Sequence, residues 1–179
     1  MRSQHDLQMI VAVDESGGFA KKGEIPWNYK EDWDHFKAVT KGAICIMGRR
    51  TYEDILSKKK NPDKVKKLLA GRTCYVITSN PNVEDFKGVE GVSTSVRQIL
   101  DKIPDENIQN IFILGGEKLY IQEIVWASRI HMTVVPGRHG CDRHFPVDYV
   151  SKKFVIAEGD KKKVDEGDLY FVRYDRARP

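Results

Sequence analysis

Ile10-Val11-Ala12-Val13 is followed by Gly18-Phe19-Ala20-Lys21-Lys22-Gly23-Glu24-Ile25-Pro26-Trp27, then Asp32, Phe36-Lys37, and Ile46-Met47-Gly48-Arg49-Arg50-Thr51. Met9 to Val13 is an apolar run short enough to be a buried strand. Gly17, Gly18 and Gly23 punctuate the next segment, so the chain leaves that strand into a glycine-bearing loop. Pro26 stiffens the end of the loop, and Trp27 adds a large rigid surface with one N–H donor. The pattern then predicts a helix over Lys30–Val39. Asp32 and Phe36 are four apart and share a face, with Trp33 beside them. A carboxylate among aromatic rings suits a flat heterocycle with amidine-like N–H groups, because a carboxylate accepts two parallel hydrogen bonds. The next apolar run ends at Gly48 and opens another helix, where Arg49 and Arg50 occupy the positive end, a natural place for a phosphate.

Outward from this stretch, strand-like and helix-like segments alternate, which argues for one α/β domain with a mostly parallel sheet. The strands are read at Leu7–Val13, Ala43–Met47, Thr73–Thr78, from Val92, Ile111–Leu114 and Arg129–Val135. Helices are read at Lys30–Val39, from Thr51 to Ser57, at Val96–Lys102 behind an N-cap at Ser95, and at Glu117–Val125. Asp142 to Val150 reads as a loop. Phe154–Glu158 and Leu169–Tyr174 read as antiparallel strands joined by a charged loop, Gly159 to Asp168. The expectation is a twisted sheet of about eight strands with an antiparallel C-terminal edge and about four helices. Met1 to Asp6 reads as an N-terminal extension, and Lys58 to Lys67 as a lysine-rich insertion on the surface.

A length of 179 residues predicts a single domain. The net charge of +4 comes from basic residues interleaved with acids, which does not make the dense stripe that nucleic acid requires. The polar N-terminus and the lack of a long apolar run predict a cytoplasmic protein with no membrane segment. Cys45, Cys74 and Cys141 are widely spaced and odd in number, as in a reduced protein. His139-x-Cys141-x-x-His144 places three potential ligands close together, but no fourth is near, so no metal site is expected.

The motifs in register resemble dihydrofolate reductase. The match continues through Leu69-Ala70-Gly71-Arg72, Ile111-Phe112-Ile113-Leu114-Gly115-Gly116, Thr133 and Asp142-Arg143-His144-Phe145-Pro146, over nearly the whole chain. The resemblance implies reduction of 7,8-dihydrofolate by NADPH, in support of one-carbon metabolism and thymidylate synthesis, by a monomer that binds antifolates such as methotrexate or trimethoprim. It assigns Asp32, Trp27, Ile25 and Thr133 to catalysis, with Asp32 accepting hydrogen bonds from the 2-amino group and ring N3 and Thr133 as its partner. Ile10, Val11, Trp33, Phe36, Ile55, Leu69 and Leu114 would line the folate site. Arg72 would take the α-carboxylate of the glutamate moiety.

For the cofactor, the resemblance gives Ala12, Phe19 and Ala20 on the strand and lid, Gly48, Thr51 and Thr78 as further contacts, and Arg49, Arg50 and Ser79 around the 2′-phosphate. Leu114, Gly115, Gly116, Glu117, Lys118, Leu119 and Tyr120 would line the pyrophosphate and nicotinamide, with Tyr120 polarising the nicotinamide edge. A cis peptide is expected between Gly115 and Gly116. Phe19 to Trp27 would be a lid. Ala20 stands where a Gly is common, Glu117 where a small residue is frequent, and Cys141 where Gly is common. Asn80 comes after Ser79 where Arg is often seen.

Overall fold

The computed structural model describes residues 6–57, 70–82, 86, 88–104, 110–163 and 168–178. The expected insertion at Lys58 to Lys67 and the candidate Leu69 lie outside them.

Strand β1 (Leu7–Val13) runs through the middle of an eight-stranded sheet, with parallel neighbours on both sides. Its residues are buried almost without interruption, as for a central strand covered on both faces. In chain order the others are β3 (Ile44–Gly48), β4 (Thr73–Ile77), β5 (Gly91–Ser93), β6 (Ile111–Gly115), β7 (Arg129–Val134), β9 (Phe154–Lys163) and β10 (Tyr170–Arg176). The spatial order is β5-β4-β3-β6-β1-β7-β10-β9. Six strands are parallel, and β10 and β9 add the antiparallel edge. β2 (Gly18–Ala20) and β8 (Arg143–His144) form a separate small ribbon.

The described residues contain five helices rather than the four expected: α1 (Lys30–Val39), α2 (Arg49–Ser57), α3 (Val96–Leu100), α4 (Glu117–Glu123) and α5 (Val147–Lys153). Ser95 caps α3 as anticipated, its side chain accepting from the Gln98 N–H. The stretch expected to be a loop at Asp142 to Val150 instead holds β8 and most of α5. Pro146 opens that helix, Asp148 lies in its first turn, and Lys152 and Lys153 lie in its last, the order of charge that a helix dipole favours. The charged segment after Glu158 extends β9 to Lys163, because an edge strand accommodates lysines that a central strand would not. Helix α2 begins at Arg49, two residues before the expected Thr51.

One face of the sheet packs Met9, Val11 and Ile113 against Ile99, Leu119, Ile124 and Val150 from α3, α4, the turn after α4, and α5. The other face packs Ile10, Cys45, Met47 and Val76 under Tyr52 of α2, with Phe36 and Val39 of α1 partly buried against them. Helix α1 has no fully buried residue. Its inner face carries Asp32, Trp33 and Phe36, which border a cleft instead of sealing onto the sheet.

Candidate active site

The cleft opens at the carboxyl ends of β1 and β6 and has a volume of about 180 Å³. Open parallel sheets place ligands at this edge. Ile10, Val11 and Ala12 form its floor, Asp32, Trp33 and Phe36 one wall, and Leu114 and Tyr120 another. Phe19, Ala20 and Ile25 reach over it from the lid.

Asp32 is held by a hydrogen bond from Thr133, whose side chain is buried on β7. Burial pushes the Asp32 carboxyl above its ordinary range, and the Thr133 hydroxyl only partly opposes this. The register explains the pairing: Thr133 faces Ala12, so β7 presents it on the side of the sheet that α1 overhangs. The Ile10 carbonyl accepts a 2.7 Å hydrogen bond from the Tyr120 hydroxyl. Tyr120 is fully buried, which raises its phenol well above the usual range. Its proton is thus committed to Ile10, while its ring lines the cleft. This differs from the expected role of a hydroxyl directed at the cofactor.

Arg72 is fastened at the open end of α1. Its Nε donates to Thr40 Oγ1 at 2.7 Å, Nη1 to the Ala70 carbonyl at 2.9 Å, and Nη2 to the Lys37 carbonyl at 3.1 Å. The guanidinium lies 5.4 Å from the Phe36 ring centroid. Phe36 therefore joins the cleft wall to a fixed guanidinium, although Arg72 itself is not on that wall.

Gly48, Gly115 and Gly116 meet beside the cleft. The Gly115–Gly116 peptide is cis, as expected. A Cβ on Gly115 would come within 3.2 Å of the Tyr120 ring, and one on Gly116 within 3.3 Å of Thr51 Oγ1. A side chain on Gly48 would face Gly116 N at 3.6 Å. The result is a strip of bare backbone at the sheet edge. Arg49, Arg50, Thr78 and Ser79 lie along the same edge, because Gly48 and Ile77 are register partners at the ends of β3 and β4. Arg50 and Ser79 are exposed, whereas Arg49 Nε donates to Glu53 at 2.6 Å. Bare backbone with flanking cations fits a polyphosphate. The Glu117 carboxylate is engaged elsewhere, its Oε1 accepting from His144 N at 2.7 Å and tying α4 to β8. Lys118 is exposed, and the Leu119 side chain packs into the core.

The lid is a tight hairpin. Lys21 and Glu24 exchange backbone hydrogen bonds of 2.8 and 3.0 Å, and Lys22 and Gly23 both have positive φ, as a two-residue turn of this hand requires. Asp14 roots it. The buried Asp14 carboxylate accepts from Ser16 N and Oγ, Gly18 N and His139 N. Burial opposes ionisation of Asp14, but these bonds outweigh it and hold the carboxyl far below the usual range. Asp142 fastens the tip, its Oδ2 accepting from Lys22 N at 2.9 Å. Trp27 packs with Val135 and Leu169 at the foot of the lid, edge-on to His139, and its Nε1–H is buried with no acceptor among the described residues. Trp27 is thus a foundation of the lid rather than part of the cleft wall. Among the described residues no group of three or more His, Cys, Asp or Glu is set to hold a metal ion. Cys141 instead packs on Gly18, where a Cβ would collide with it at 2.4 Å.

Gly23 and Glu24, expected within the lid, also line the cleft, and Asp54 joins them without having been anticipated. Asp54 had a signal, since it is three residues after Thr51 and falls on the same face of α2. Ile55 lies on α2, and Arg49 and Arg50 begin that helix.

Fold and cleft together set a buried carboxylate in an aromatic-walled cavity beside a strip of bare backbone flanked by cations. A family model described as dihydrofolate reductase matches residues 6–177. Dihydrofolate reductase of Bacillus subtilis (strain 168) is 33% identical over 174 residues, which cover 95% of this chain and 94% of that protein. Dihydrofolate reductase type 3 of Salmonella typhimurium is 32% identical over 175 residues, covering 96% and 99%. A solved structure of dihydrofolate reductase from Enterococcus faecalis, complexed with NADP(H) and RAB-propyl, superposes with a TM-score of 0.75 at 28% identity and 96% coverage of both chains. The chain belongs to the dihydrofolate reductase family.

Proposed function

We propose that the residues described above divide the work of dihydrofolate reduction among themselves within a single domain. The activity is the reduction of 7,8-dihydrofolate to 5,6,7,8-tetrahydrofolate with NADPH. NADPH, when bound, supplies the hydride, which goes to C6 while N5 takes a proton. Asp32 accepts from the 2-amino group and N3 of the pteridine, orients the ring and favours protonation at N5. Thr133 fixes the carboxylate for this. Ile10, Val11, Trp33, Phe36 and Leu114 hold the rings, and the family resemblance adds Ile55 and Leu69 to the folate site. Arg72 takes the α-carboxylate, which its three anchoring bonds prepare it to do without further ordering.

Gly48, Gly115 and Gly116 offer backbone to the cofactor with Thr51 beside them, and Arg50 with Arg49 and Ser79 takes the 2′-phosphate, next to Thr78. Ala12, Phe19 and Ala20 lie against the nicotinamide side, with Lys118 at the rim. Ile25 and the rest of the lid exclude water above the reacting atoms. The protein acts as a cytoplasmic monomer and binds antifolates such as methotrexate or trimethoprim. No described helix is long and apolar enough to cross a membrane.

The observation that carries this reading is the largely buried Asp32, held by Thr133 in an aromatic-walled cleft beside a glycine cradle. The test is loss of NADPH absorbance on adding dihydrofolate, with wild type beside Asp32→Asn. Rapid oxidation by the wild type and a large loss in the variant are expected. Equal activity of the two would remove Asp32 from the mechanism.

A further inference from the structure

Helix α2 touches both halves of the site. At its first turn Thr51 Oγ1 lies against Gly116, 3.3 Å from where a Cβ there would stand. One turn later Asp54 faces the cleft, and its Oδ1 lies 3.0 Å from the position a Cβ would take on Gly23. Gly23 is the second central residue of the lid's turn, with φ +80°. A side chain at Gly23 would therefore be strained by its backbone and would also meet the carboxylate. The opposite flank of the same turn is fastened to Asp142 through Lys22 N. The hairpin tip thus sits between two carboxylates, Asp142 from the loop before β8 and Asp54 from the cofactor helix.

We infer that Asp54 is a positioning residue that transmits cofactor occupancy to the lid. The assignment rests on the dihydrofolate reductase reading above. Thr51 and Asp54 are three apart on one rigid helix, so a group seated on Gly116 and Thr51 fixes the side on which Asp54 stands. Asp54 in turn sets how closely the turn at Gly23 approaches α2. Closure of the lid and filling of the phosphate strip then share one element. The shared helix gives the two sites a contiguous connection, and the coupling itself is what the binding cycle measures.

The experiment is a binding cycle on the full chain. Affinity for a diaminopyrimidine antifolate is measured with and without saturating NADPH, in wild type, Asp54→Ala and Asp54→Asn. The wild type is expected to bind the antifolate at least about fivefold more tightly when NADPH is present, a typical coupling factor. Asp54→Ala should bring that ratio close to one, and Asp54→Asn, which keeps the shape, should restore part of it.

A second arm uses Gly23→Ala. If the two residues meet as described, its effect on kcat/KM is smaller in the Asp54→Ala background than in wild type, because the obstructing carboxylate is gone. An unchanged coupling ratio in Asp54→Ala, or an equal penalty for Gly23→Ala in both backgrounds, overturns the inference. A wild type that oxidises no NADPH with dihydrofolate would overturn the underlying activity instead. The two failures are therefore distinct.

Discussion

Asp32 carries opposite signs for activity and for stability. Burial raises its pKa in the folded state, so the folded protein holds that proton to higher pH than the unfolded chain does. Its contribution is most favourable at low pH and declines as pH rises through the raised value. Asp32→Asn should therefore raise the melting temperature at neutral pH, with the gain shrinking as pH falls toward the ordinary carboxylate range. The same change should lower kcat/KM for dihydrofolate by roughly 10²-fold or more, the scale of a lost acid–base contribution. Thermal melts across pH, set beside steady-state rates, check both signs. For Arg72→Lys, loss of the bidentate fork and of its three anchors should raise KM by about tenfold to a hundredfold with little change in kcat.

The setting of Asp32 beside Trp33 and Phe36 was legible in the helical spacing, whereas Arg72 was singled out only by the family resemblance, since an arginine after a glycine turn is by itself ordinarily a surface residue. The Tyr120 bond to Ile10 was not legible. It joins positions 110 residues apart in sequence, and only the packing of α4 against β1 brings them together.

Among the elements, the lid depends on Asp14 more than on any residue of the hairpin. Removing its carboxylate would strand the N–H groups of Ser16, Gly18 and His139. Asp14→Ala should cost about 3 kcal/mol, since a buried donor left unpaired costs on the order of 1–3 kcal/mol. Urea unfolding measures that loss, and it should come with a lower kcat as the lid loses its root. The elements misread from sequence share one cause. β8 and α5 lie within or after a loop-like Asp142–Pro146 signature, and the end of β9 is hidden by its lysines. Local composition pointed to solvent in each case, whereas sheet pairing or docking on the core decided the outcome. The strands β1, β3 and β6 could be read because burial on both faces leaves an unbroken apolar run.

For the whole molecule, acid stability should be set first on the face of the sheet that α1 overhangs. His131 lies on that face, its Nε2 2.9 Å from Gln8 Oε1, and since Gln8 Nε2 donates to Asp6, the histidine is the donor in this pair. Burial, and then the charges of Arg129, His35 and Arg173, bring its pKa from 6.5 down to about 4. Between those values the unfolded chain binds a proton that the folded one does not, so stability falls as pH drops through that window. The loss should be on the order of 2 kcal/mol between those limits. Asp14 adds a second loss at lower pH, as its depressed carboxyl is finally protonated. His131→Gln should flatten the first slope and leave the second, as followed by urea unfolding at several pH values.

The three tryptophans occupy three unlike surroundings, which gives the protein its own optical labels. Trp126 is 66% exposed, Trp33 lines the cleft, and Trp27 is sealed at the foot of the lid beside His139. Iodide should quench Trp126 whatever is bound. Trp33 should lose access to the quencher only when the cleft is filled, and Trp27 should stay dark to it throughout. Single-tryptophan variants would then report ligand entry and lid integrity as separate colours of one emission spectrum.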